Sequence, residues 1–352
     1  MKKIFFTFFI FIFIFVVYFL FTPLKVCKKK VYHIDSSLNV NEPLNKSISN
    51  FDDYFYSDKE CGFFSFDKGM YHYYESIDDE YILANKYFYL VYKKIGGNIQ
   101  VFNPSGELIS EIKIVGYPYV LKEFPVIFIL KTNAMGFSLF TMKGELILDE
   151  IDFASMITSI KMDKNSNILV STLSGSTYLF SITGDRKFKT DYHDSKINIT
   201  KSSAINIDGK RIAVCSGLHP EFVDIYDVET GTMTDRIKTE TNFRYSTYLS
   251  FVDNRLYYEG ENQVNFYDYS TKRKGCFKIN GSVNEINFDN NGNILVLSSK
   301  DALYYLTIFS SKGEKKYYKE FASIVSNFEC NNNMSYFRLL DLIIKIKYGY
   351  TV

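Results

Sequence analysis

IKMDKNSNILV (160–170) and INFDNNGNILV (286–296) are two copies of one pattern: Ile, any residue, an apolar residue, Asp, any, Asn, any, Asn, then Ile-Leu-Val. Each reads as an alternating strand, a tight turn whose Asp and Asn side chains bond their own backbone, and a second, wholly apolar strand. Weaker copies stand at INIDGKRIAV (205–214) and SFVDNRLYY (250–258). Between copies, further strands run into glycine turns: NIQVF (98–102) before Gly106, GFSLF (136–140) before Gly144, and STYLF (176–180) before Gly184. FVDIY (222–226) precedes Gly231, QVNFY (263–267) precedes Gly275, and LTIF (306–309) precedes Gly313.

From Gly106 to Gly313 there are five steps in 207 residues, a mean of about 41 and the length of one four-stranded propeller blade. The period-two alternation and the turn residues every 8–12 positions exclude a helical solenoid. The fold expected is therefore all-β, a propeller of about seven four-stranded blades, with six and eight as the neighbouring counts. The ends lack complete cassettes. CGFFSFDKGMYHYYESI (61–77) and the carboxy-terminal strands of 323–348 are read as sharing one blade, which closes the ring and removes open sheet edges.

Ahead of the propeller, Ile4 to Phe21 is a run of 18 residues broken only by Thr7, long enough to span a bilayer core of about 30 Å. No small-residue cleavage site follows in Thr22-Pro23-Leu24-Lys25-Val26, so the run reads as a retained signal anchor rather than a cleaved peptide. The division expected is 1–24 anchor, 25–50 polar tether and 51–352 propeller. A single-pass membrane protein with its propeller outside the cytoplasm follows from the short amino terminus, although Lys28–Lys30 pull the other way.

Six of the 41 basic residues lie in the first 30 positions, so the remaining 35 against 40 acidic residues give the body a charge of −5. A nucleic-acid partner needs a basic face and is not expected. The five cysteines, Cys27, Cys61, Cys215, Cys276 and Cys330, include no CxxC pair and read as free buried thiols, with one long-range bridge as the open alternative. No phosphate loop, nucleophile elbow or dinucleotide fingerprint occurs, and no cofactor is expected. His33, His72, His193 and His219 have no metal-ligand spacing, and the two Asp-x-Asn-x-Asn turns lack the sixth-position Gly and twelfth-position Glu of a calcium loop. Neither a metal nor a catalytic residue is assigned.

The region 51–352 resembles bacterial β-propeller repeat proteins of the broad WD40-like and quinoprotein-like kind. The resemblance rests on the apolar strand and (Ser/Thr/Lys)-Gly-(Glu/Asp) turn rhythm quoted above. The chain has no Trp, so it lacks the Trp-Asp blade ending of the first kind and the docking Trp of the second, and quinone binding is not implied. A short anchor followed by a propeller is similar to scaffolding proteins of the cell envelope, among them the lipoprotein of the outer-membrane β-barrel assembly machinery. That similarity is one of fold alone.

In a propeller the first-to-second and third-to-fourth turns share one face, and the second-to-third and blade-to-blade connections share the other. The glycine and Asp/Asn turns are short and regular, so the irregular loops mark the face for binding. The residues expected there are Tyr117, Tyr119, Phe153, His193, His219, Phe243, Arg244 and Tyr245, of types that anchor protein interfaces. The function expected is a non-catalytic binding or scaffolding protein holding a protein partner at the envelope. The sequence names no small-molecule ligand. The rival readings are a hydrolase or lyase acting on a sugar or phosphate ester in the central channel, and a structural oligomer at the membrane.

Overall fold

The computed structural model describes residues 30–41, 44, 51–77, 79–94, 97–331 and 334–350. The anchor read at 4–21 lies outside the described residues. Among the described residues, thirty-one strands form eight antiparallel sheets, seven of four strands and one of three. The molecule is an eight-bladed propeller rather than a seven-bladed one. In chain order the blades cover 53–75, 80–112, 117–152, 157–191, 197–238, 249–278, 282–321 and 325–350; they are numbered 1 to 8 here.

Two misread ends account for the missing blade. Residues 30–39 were expected to be tether but form the strand Lys30–Asn39, which pairs antiparallel with the last strand, Leu342–Tyr350. It supplies the outermost strand of blade 8, whose other three come from the carboxy terminus. Its polar look has a physical cause. An outer strand buries one face only, here Tyr32 and Leu38, and a bulge between Ile34 and Ser36 breaks the alternation.

The segment 61–77 does not share a blade with the carboxy terminus; it belongs to blade 1. In blade 3, the amide of Ile157 donates to the carbonyl of Ala134 and that of Phe153 to Met135, which fastens the second-to-third loop to the next connection. The amides of Ile82 and Ser76 make the same bonds to Asp58 and Lys59. The strands of blade 1 (Asp53–Tyr56, Glu60–Ser65 and Gly69–Glu75) therefore hold the second, third and fourth places of a blade. Gly69, in SFDKGM, occupies the glycine-turn position with φ +93°. Arg338 of blade 8 locks onto this blade, pairing with Glu60 at 2.5 Å and lying over the Phe55 ring.

One turn glycine was misplaced. Gly275 sits inside the outer strand Arg273–Lys278, and the turn is made by Lys272 at φ +58°. A Cβ at Gly275 would stand 2.4 Å from the Phe266 ring.

Second strands such as Ile168–Thr172 and Val126–Leu130 are buried on both faces because a blade packs on each side. Core clusters accordingly straddle blade boundaries. Phe128, Phe137 and Leu139 of blade 3 meet Ile168, Val170 and Phe180 of blade 4. Phe and Tyr rings fill the volume in a chain without Trp.

Both Asp/Asn turns have one geometry. Asp163 Oδ1 accepts the amides of Asn165 and Asn167, and Oδ2 accepts Asn167 Nδ2. Asp289 repeats this with Asn291 and Asn293, and its Oδ2 also accepts the Tyr32 hydroxyl at 2.6 Å. The repeated motif of the sequence thus also ties the closing strand to blade 7.

Candidate interaction face

The longest connection between successive blades, 239–248, joins blade 5 to blade 6 and carries Phe243, Arg244 and Tyr245. Two buried carboxylates at the loop ends of neighbouring blades hold it. Glu221 accepts the Thr239 hydroxyl at 2.8 Å, the Thr241 hydroxyl at 2.9 Å and the Phe243 amide at 3.3 Å. It also pairs with Lys201 of the inner strand, and both side chains are almost wholly buried. Glu259 accepts the amides of Tyr248 (3.1 Å) and Val283 (3.2 Å), so it grips both this connection and the next blade.

The neighbouring loops are stitched to it in sequence. The hydroxyl of Ser195 donates to the carbonyl of Pro220, and the amide of His219 donates to Asn242 Oδ1 at 2.8 Å. Arg236 forks onto Asp224 and reaches Asp194 at 2.6 Å. At Gly217, φ is +88° and a Cβ would stand 2.2 Å from Ser195 Oγ, so the close approach of two of these loops requires glycine.

Burial raises the Glu259 carboxyl above its ordinary 4.5, and the nearby Glu221 adds to the shift while the two amide donors oppose it. The native state then holds this proton more tightly than the unfolded chain does. This group's contribution therefore falls as pH rises from about 4.5 through the raised value, and is level above it. Glu259→Gln should gain relative to wild type across that window, read as the difference in urea midpoints between pH 4 and pH 8. A difference independent of pH would count against the assignment.

Of the eight residues expected on the binding face, His193, His219, Phe243, Arg244 and Tyr245 come together on the stitched loops of blades 4 to 6. All but the half-buried Phe243 are exposed. The rings of Phe243 and Tyr245 lie 4.9 Å apart. Tyr117 is exposed on the same face, but at the start of the inner strand Tyr117–Val120 of blade 3 rather than in a loop. Tyr119 and Phe153 do not belong to the face. Tyr119 packs on Phe128, and Phe153 is buried against Phe137, Tyr178 and Phe180.

Sequence reasoning missed a larger feature. Ile77, Val115, Met156, Ile197, Tyr245 and Ile324 are all 45–75% exposed. Each stands in, or directly after, one of six of the seven connections between successive blades from 1 to 8. They form a ring of apolar side chains around one face, and Leu173 and Leu340 in second-to-third loops, with Leu342 at the start of the strand Leu342–Tyr350, add to it. Their spacing of roughly one blade was a usable signal, hidden because all but Tyr245 are single non-aromatic side chains in polar loops.

The channel is crossed at its axis. Lys122, just after the inner strand of blade 3, pairs at 2.6 Å with Glu285 on the inner strand of blade 7, the diametrically opposite blade. Lys161, on the wall of blade 4, stays solvent-accessible though protein surrounds it. Burial, then the charge of Lys122, pushes its pKa down. Among the described residues no group of three or more His, Cys, Asp or Glu is arranged to hold a metal ion, and no helix is long and apolar enough to cross a membrane.

A family model described as "beta-propeller protein" matches residues 1–338. Among solved structures, the chain is similar to the computationally designed Ika8 protein, with a TM-score of 0.63 at 12% identity over 83% of this chain and 91% of that one. It is also similar to virginiamycin B lyase from Staphylococcus aureus, with a TM-score of 0.53 at 12% identity over 76% of this chain and 93% of that one. Identities this low speak to the fold alone. No curated protein matches the sequence.

Proposed function

Starting from a chain that belongs to the beta-propeller protein family, we propose that this one is a membrane-anchored binding protein that holds a protein partner on its loop face. The observation that carries the reading is the apolar ring of that face, with the fastened Phe243–Arg244–Tyr245 loop at its edge. Exposed apolar side chains repeated on six inter-blade connections offer a partner apolar contacts around that face. The ion pair across the axis counts against chemistry in the channel.

Topology supports a protein partner over lipid. The closing strand enters the fold at Lys30, beside Tyr350 at the turn face, and leaves at Asn39, beside Leu342 at the loop face. Residues 22–29 extend at most about 28 Å, and the ten-residue closing strand itself rises about 30 Å. With 4–21 in a bilayer, the turn face lies toward the membrane and the loop face away from it, at the cell envelope.

The test is crosslinking of the full chain in membranes. Arg244→Ala with Tyr245→Ala should cut recovery of the specific partner at least tenfold while leaving the unfolding midpoint unchanged. Ile207→Ser, on the turn face, should leave recovery intact. Equal recovery with both variants would overturn the reading.

A further inference from the structure

We propose that the cleft between blades 5 and 6 is a binding site for a neutral, hydroxyl-rich ligand, a short saccharide of one to three rings. The cleft has a volume of about 510 Å³, within the range of small-ligand pockets. Its lining includes Thr239, Glu240 and Thr241 of the 239–248 connection but no residue of the apolar ring, and the proposal does not rest on the partner reading above.

The wall on blade 6 is a cross-strand row. Tyr258 stands opposite Asn265, and Asn265 opposite Cys276, on three neighbouring strands. Tyr258 is 8% exposed, its ring lies in the core between the two blades, and it lines the cleft. Its hydroxyl has no hydrogen-bond partner among the described residues and is not among the fully buried polar atoms, so it is open to a ligand. Burial first, then the neighbouring Cys276 and Glu240, which both line the cleft, push its pKa up to about 12.

A second feature is an amide pair made possible by a glycine. Gln263 Nε2 donates to Asn265 Oδ1 at 2.8 Å, which leaves Gln263 Oε1 as an acceptor and Asn265 Nδ2 as a donor at the cleft wall. A Cβ at Gly260 would stand 2.4 Å from Asn265 Nδ2 and 2.8 Å from Gln263 Cγ, so any side chain there would displace the pair.

The chemistry of the lining selects the ligand class. Lys238 and Lys274 balance Glu240 and Glu261, so a net-charged ligand gains no more from one pair than it loses to the other. A hydroxyl group both donates and accepts. Adjacent hydroxyls can therefore donate to Gln263 Oε1 and accept from Asn265 Nδ2 or from the Tyr258 hydroxyl.

Cys276 is a built-in reporter, because its thiol is exposed whereas Cys61 and Cys215 are buried. The experiment follows alkylation of Cys276 by iodoacetamide, read on its own peptide by mass spectrometry. Maltotriose, cellotriose and chitotriose are the probes, and a neutral extended hexapeptide is the competitor. At least one trisaccharide should slow alkylation fivefold or more. Tyr258→Phe, which keeps the ring, should weaken that protection about tenfold at an unchanged unfolding midpoint, and Gly260→Ala should abolish it. No protection by any of the three sugars, protection unaltered in Tyr258→Phe, or protection by the peptide alone would each overturn the proposal.

Discussion

Glu221→Ala should destabilise the protein by about 3–5 kcal/mol, because it leaves the Lys201 ammonium buried without its partner. Both side chains are at most 2% exposed, so water cannot take over the lost role. The carboxylate also accepts from Thr239, Thr241 and the Phe243 amide, and the connection 239–248 should lose its order with it. Two readouts separate these effects. The urea midpoint reports the energy, and amide hydrogen exchange over 239–248 reports the loop. The double variant Lys201→Met with Glu221→Leu should recover much of the midpoint, since replacing a buried pair by apolar groups is often near neutral. It should not restore slow exchange in the loop. A single-variant cost below about 1 kcal/mol would mean that the pair is solvated in solution, outside the range for buried pairs.

Removing residues 1–41 should have a larger effect still. The closing strand buries Tyr32 and Leu38, and Val40 follows it into the core between blades 8 and 1. Burial of three such side chains contributes about 1.5–3 kcal/mol each, and the truncation also opens the edge of Leu342–Tyr350. The sum is comparable with the total stability of a typical domain, about 5–15 kcal/mol. The truncated chain should lose its cooperative urea transition and aggregate. A synthetic peptide of residues 30–41 added in trans should restore the transition by strand addition. A truncated chain with the full-length midpoint would show that the ring does not depend on this strand.

The repeat was legible because blade geometry imposes it residue by residue. The glycine turns at Gly106, Gly144, Gly184, Gly231 and Gly313 all adopt positive φ, and the two Asp-x-Asn-x-Asn copies fold alike. Legibility failed where a strand lacks a second buried face. Lys30–Asn39 carries Asp35, Ser36 and Ser37 outward and a bulge in its middle, so period-two reasoning saw a polar linker. Blade 1 failed for a related reason: only its second to fourth strands could be matched, and Gly69 was not recognised as the seventh turn. The loop face was half legible. Aromatic and basic types marked the 243–245 loop, but type alone could not tell Tyr245, which is exposed, from Phe153, which is core. That distinction depends on which way a connection folds over its own blade.

The direction of the closing strand has a mechanical consequence. A tension between an anchor on the turn-face side and a partner on the loop-face side would run along Lys30–Asn39 rather than across it. The paired registers from Lys30↔Tyr350 to Asn39↔Leu342 would then be loaded together in shear, where unzipping would break them one by one. With an anchor and a partner so placed, the strand that completes the ring would be its force-bearing rivet, and load pulling from the membrane side would meet the whole ladder at once.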